Sequence, residues 1–209
     1  MWNIEFKGKV KGDLAKISSG EPMPEGAVQF KEPENSSKQF TAGTLLFTPF
    51  AAIMLGTALP MMYHLYGKPD KSSLGHHVIP MVICLAAMWV AMYVHEYIHA
   101  LLFPKELKKD VYIAPEGGMF FVYCEQMVSK ARFIVICMGP AVILGIIPFI
   151  VLMILMPQLP GYVTFASLIF TLGNTFSAVG DFYNTYNCIR QVPKGGKVFN
   201  RGIHSYWVN

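Results

Sequence analysis

The segment His95-Glu96-Tyr97-Ile98-His99 holds the residues best suited to chemistry. On a helix, positions i and i+4 share a face, so both imidazoles point the same way and can bind one zinc ion. Glu96 follows the first histidine, which sets its carboxylate beside the open coordination position of such a metal. There it can take a proton from water. Zinc lowers the pKa of a bound water to ~7, so a modest base suffices. Two histidines and a base leave zinc one ligand short, because catalytic zinc takes three protein ligands and keeps its fourth place for water. Two blander uses of the same side chains stand beside this one: a structural polar cluster between helices, and a metal site that has lost its chemistry.

The surrounding elements follow from composition. Of 209 residues, 53% are hydrophobic and 14% charged, against ~25% charged in a typical soluble domain. A net charge of +4 is too small for a nucleic-acid footprint, so no nucleic-acid partner is expected. No Asp, Glu, Lys or Arg occurs from Gln39 to Gly67 or from Phe133 to Gly180. A soluble fold has no use for the second gap. The expected fold class is therefore an all-α integral membrane protein, with the lipid bilayer as a partner.

A helical span takes ~20 apolar residues. Four runs qualify: Ala42–Tyr66, Val78–Phe103, Phe133–Met156 and Tyr162–Ile189, the last two divided by a turn at Pro157–Gly161. Pro140 and Pro148 should kink the third. The chain divides into a polar leader (1–41), a four-span membrane metallopeptidase domain (42–190) and a basic tail (191–209). The leader allows short strands at Trp2–Phe6 and Val28–Phe30, or a solvated, partly ordered segment. Fifteen of the 17 Lys and Arg lie in the leader, the 105–132 loop or the stretch after the fourth span (190–209), and two, Lys68 and Lys71, lie on the other side. Cationic residues favour the inner side, which predicts a multi-pass cell-membrane protein with both termini cytoplasmic. None of the four cysteines implies a disulfide framework.

Glu96 and Asp181 are the only acids within the four spans, so Asp181 is by elimination the best third ligand. Depth agrees with this. From Val78 to His95 is ~26 Å of helix and from Tyr162 to Asp181 ~28 Å, so both groups sit at one level near the cytoplasmic face. A buried hydrogen-bonding acid is the alternative for Asp181.

With H-E-x-x-H in the second span and Gly180-Asp181 in the last, the chain resembles the zincin peptidase family of small bacterial membrane proteins, related to the site-2 intramembrane zinc metalloproteases. The resemblance covers roughly residues 75–190. It implies a cytoplasm-facing zinc peptidase with His95, His99 and Asp181 as ligands and Glu96 as catalytic acid and base. Gly139-Pro140 is similar to a Gly-Pro that follows the catalytic helix in site-2 proteases. Those proteases usually carry Asn-x-x-Pro before Leu-Asp-Gly. Here Asn174 lacks the following proline, and Asp181 stands in Gly180-Asp181-Phe182.

Between the second and third spans, β-prone runs around Pro115 and Gly117-Gly118 predict a short cytoplasmic hairpin over residues 110–123. It either offers a strand edge to an extended substrate or merely packs on the helix ends. Asn174, two turns before Asp181, could bind substrate or hydrogen-bond between helices. Gly173, Ser177 and Gly180 are small enough to let the fourth span approach the second. Arg190, Lys194, Lys197 and Arg201 suit anionic headgroups. Two functions compete: a membrane-embedded zinc endopeptidase acting on membrane proteins or peptides, and a non-catalytic metal carrier or sensor. Glu96 favours the peptidase, since a carrier has no need of a base that is not a ligand.

Overall fold

The computed structural model describes residues 3–10, 22–33, 36–67, 74–113, 120–202 and 204–209. Helices α1 (Ser36–Tyr66) and α2 (Leu74–Leu102) each run unbroken. The third long rod, Lys130–Gln158, is made of α3 (Lys130–Pro140), a π-helical stretch (Ala141–Ile146), α4 (Ile147–Leu155) and a closing 3-10 turn. Pro140 and Pro148 cannot donate to the α-helical ladder. The rod takes up the lost bonds in the wider π turns between them.

The expected fourth span is broken. Helices α5 (Gly161–Ser177) and α6 (Val179–Gln191) meet at Ala178 with a bend of 45°. Among the described residues, three helices are thus long and apolar enough to cross a membrane, and four if the bent pair counts as one span. At one end of the bundle, Tyr66 Oη donates to the Leu159 carbonyl (2.7 Å) and His76 packs on Tyr162. Close approach elsewhere depends on missing side chains. A Cβ at Gly173 would overlap Met88 of α2, and one at Gly139 would overlap Leu102. Gly180 is different: nothing lies within 4 Å of its notional Cβ, so it opens space rather than closing a contact.

The all-α expectation needs correction, because two small sheets close the other end. One has the order β1-β3-β4, with β1 (Ile4–Lys9) parallel to β3 (Lys109–Ile113) and β3 antiparallel to β4 (Phe120–Tyr123). β3 and β4 pair antiparallel within the stretch where a hairpin is expected; residues 114–119 between them fall outside the described residues. The second sheet has the order β2-β7-β6-β5, built from β2 (Val28–Gln29), β5 (Val128–Ser129), β6 (Lys197–Arg201) and β7 (His204–Val208). Leader and tail are therefore partners in one sheet. Trp207 pairs with Val28, and Arg201 binds Glu125 at 2.7 Å. Pairing across some 180 residues leaves no local periodicity to read, and so the basic tail suggests lipid headgroups rather than a sheet.

Beneath this sheet Phe30, Phe133, Cys188 and Val198 form a buried cluster with Phe103 of the α2 exit. Each large side chain buried there is worth ~1.5–3 kcal/mol. The fully buried Lys109 donates to the carbonyls of Pro104 (2.9 Å) and Lys105 (3.3 Å), fixing where β3 leaves α2. Burial lowers the pKa of its ammonium. All four cysteines are free and buried.

Candidate metal centre

His95 and His99 lie one turn apart on the last turns of α2, and Asp181 lies in the first turn of α6. The break at Ala178 is what presents Asp181. It starts a new helix there, whose N-terminal dipole favours a carboxylate. The three side chains converge. His95 Nε2 is 3.2 Å from Asp181 Oδ2, His99 Nε2 is 3.4 Å from Asp181 Oδ1, and the two Nε2 atoms are 3.1 Å apart. His95 is buried, and the other two are largely so.

The other ring nitrogens are held by acceptors. His99 Nδ1 donates to the Ile136 carbonyl at 2.9 Å. That carbonyl is available because its helical partner would be the N–H of residue 140, and Pro140 has none. This gives Gly139-Pro140 a role in the site: the glycine lets α3 approach α2, and the proline frees the carbonyl. Near His95 Nδ1, at 3.4 Å, lies Ser177 Oγ, which itself donates to the Asn174 carbonyl at 2.8 Å. With both Nδ1 atoms so engaged, each Nε2 turns a lone pair toward its neighbour and toward a carboxylate. Such an arrangement is repulsive without a cation among the three. Zinc–ligand bonds of ~2.0–2.1 Å at tetrahedral angles hold donor atoms about 3.3 Å apart, which the observed 3.1–3.4 Å matches. The donor set fits zinc.

Glu96 stands beside this trio and lines the same pocket. Its Oε2 accepts the backbone N–H of Val122 in β4 at 3.2 Å. β4 is an edge of its sheet, and among the described residues no strand pairs with its other side. His95, Glu96 and Ser177 also line an apolar cavity of about 310 Å³ with Trp89, Met92, Tyr93 and Phe120. A pocket of about 270 Å³ contains the trio itself. Asn174 borders neither; its side-chain amide is turned back on its own helix, donating to the Phe170 carbonyl at 2.8 Å. Tyr123, at the end of β4, accepts the Gly202 N–H, and burial pushes its phenol up to about 12.

Sequence reasoning names His95, Glu96, His99 and Asp181, and these are the residues brought together. It overlooks the supporting shell. The signal for the Ile136 carbonyl was a proline four residues on. Ser177 drew attention for its size, whereas its hydroxyl is what reaches His95.

No curated protein and no solved structure matches the chain. One family model does, over residues 88–196, a stretch that runs from within α2 through α6 and contains the whole trio and Glu96. On that match the chain belongs to the family described as "Putative zincin peptidase".

Proposed function

We propose that the protein is a membrane-embedded zinc endopeptidase whose active site lies near the cytoplasmic face. The observation that carries this is the convergence of two imidazoles and a carboxylate, with a non-ligand glutamate next to them in sequence and against them in space. His95, His99 and Asp181 would hold the zinc, and Glu96 is the acid and base. When bound, zinc supplies a Lewis acid that polarises a carbonyl and acidifies water. Glu96 takes the proton from the attacking water and later hands it to the leaving amine. Its hydrogen bond to Val122 sets the carboxylate's orientation and ties it to β4. An extended peptide laid along the free edge of β4 would bring its scissile bond past both Glu96 and the ligands. The apolar cavity would take a large hydrophobic side chain next to that bond.

As in the site-2 proteases, the metal ligands would come from spanning helices. They lie at the end of the bundle that carries both sheets, and fifteen of the 17 basic residues belong to segments on that side. That asymmetry supports a cytoplasmic site and cytoplasmic termini. In intact cells, a thiol-reactive probe should label a cysteine placed at position 70 and miss one at 200; external labelling at 200 would reverse the orientation. The activity itself is tested by metal removal. Chelation should abolish hydrolysis of labelled casein, and one equivalent of zinc should restore it. Hydrolysis that survives full chelation would rule out a zinc peptidase.

A further inference from the structure

Beyond the metal pocket, on the side of the leader and tail, lies a third cavity of about 460 Å³. Its lining is mixed: Phe40, Phe121 and Tyr183 stand beside the polar groups of Glu32, Asn184 and Asn200. Four residues border both this cavity and the metal pocket: Val122, Gly180, Asn184 and Asn200. They frame the passage between the two. Val122 belongs to the β4 edge, Gly180 leaves the passage open, and the two carboxamides supply its remaining polar groups.

Asn184 follows Asp181 by three residues on α6 and so shares its face. Among the described residues its carboxamide has no hydrogen-bond partner, although the residue is half-buried. Asn200, on β6, uses its Oδ1 to accept the Ser205 hydroxyl at 2.9 Å, which leaves its NH2 group for another acceptor. Neither group is among the enclosed unpartnered atoms, so both face open cavity and are available to bond what enters it. The natural complement of one free carboxamide and one free NH2 is another amide, and an extended peptide offers an N–H and a C=O at every residue. Asn174 lacks this freedom, since its NH2 is spent on Phe170.

We propose that Asn184 and Asn200 are positioning residues that clamp the main chain of the substrate where it leaves the metal centre for the third cavity. This rests on the peptidase reading. It also sets a substrate class: a polypeptide with a large apolar side chain on one side of the scissile bond and an extended, main-chain-recognised segment on the other.

The test is binding, measured on zinc-loaded protein by fluorescence anisotropy with labelled peptide hydroxamates, which need no turnover. A set with single N-methylated amides removes one N–H at a time. In the wild type, one position of N-methylation should weaken binding about tenfold, the worth of one hydrogen bond. Asn184→Ala should weaken the parent peptide by a similar factor, keep its zinc, and become insensitive to that methyl group. Asn200→Ala, which loses a donor to a peptide carbonyl, should weaken binding and stay sensitive to it. Equal methylation penalties in wild type and Asn184→Ala would overturn the clamp while leaving the peptidase standing. Zinc loss in Asn184→Ala would also overturn it, as a structural role. Failure of any hydroxamate to bind the zinc-loaded wild type would overturn the peptidase reading and the clamp with it.

Discussion

Asp181→Ala is expected to release zinc and to abolish peptide hydrolysis. A carboxylate at mid-bilayer costs ~2.5–3.5 kcal/mol, less near the interface, so some group must compensate it. Among the described residues no Lys or Arg pairs with it, and the groups that face its oxygens are His95 Nε2 and His99 Nε2, at 3.2 and 3.4 Å. Two neutral imidazoles around a divalent cation supply that compensation. Removing the carboxylate leaves two ligands, and the loss should exceed the ~10–100-fold that an outer-shell change costs in metal affinity. Asp181→Asn should fail too, because a neutral amide is a poor zinc ligand. The neighbouring Asn174→Ala should keep its zinc, since its side chain serves only the Phe170 carbonyl. Zinc content by elemental analysis, alongside casein hydrolysis, checks all three. Normal zinc in Asp181→Ala would move the third ligand elsewhere.

Glu96→Gln is expected to keep its zinc and lose turnover by ~10²–10⁴-fold, the usual worth of a positioned acid and base. The carboxylate is the partner of the Val122 N–H, and it is absent from the set of converging ligand atoms. Glutamine is close in shape and can still accept that hydrogen bond, so the strand should stay in place while the proton acceptor is lost. A carrier or sensor predicts another pattern. If Glu96 were a ligand, the glutamine variant would lose metal, and no hydrolysis would exist to be lost.

Local spacing was enough to find the helix that carries the His95 and His99 pair, because i and i+4 fall on one face whatever the tertiary structure. Charge segregation located the apolar rods for a similar reason: the cost of placing a charge among lipids acts on each segment independently. Asp181 was reached by elimination, and its depth was counted along a straight helix. The structure reaches the same pairing by another route, through the bend at Ala178 that makes Asp181 the start of α6. Nothing in Ser177-Ala178-Val179 announces that break. The second sheet was hidden for a different reason. A short strand at Val28 was legible, but its partner was not, because Val28 and Trp207 pair over a separation that no local window spans. Asn200 was missed along with it, since a residue of a tail assigned to lipid headgroups has no reason to face the pocket of His95, His99 and Asp181.

The most direct measurement is anomalous diffraction at the zinc absorption edge from crystals of the wild-type protein. The account predicts one strong peak per chain, ~2.0–2.1 Å from His95 Nε2 and His99 Nε2 and ~2.0–2.2 Å from an Asp181 oxygen. A peak bound instead by acids of the 105–132 loop, such as Glu106 or Asp110, or no peak in zinc-replete crystals, would contradict it.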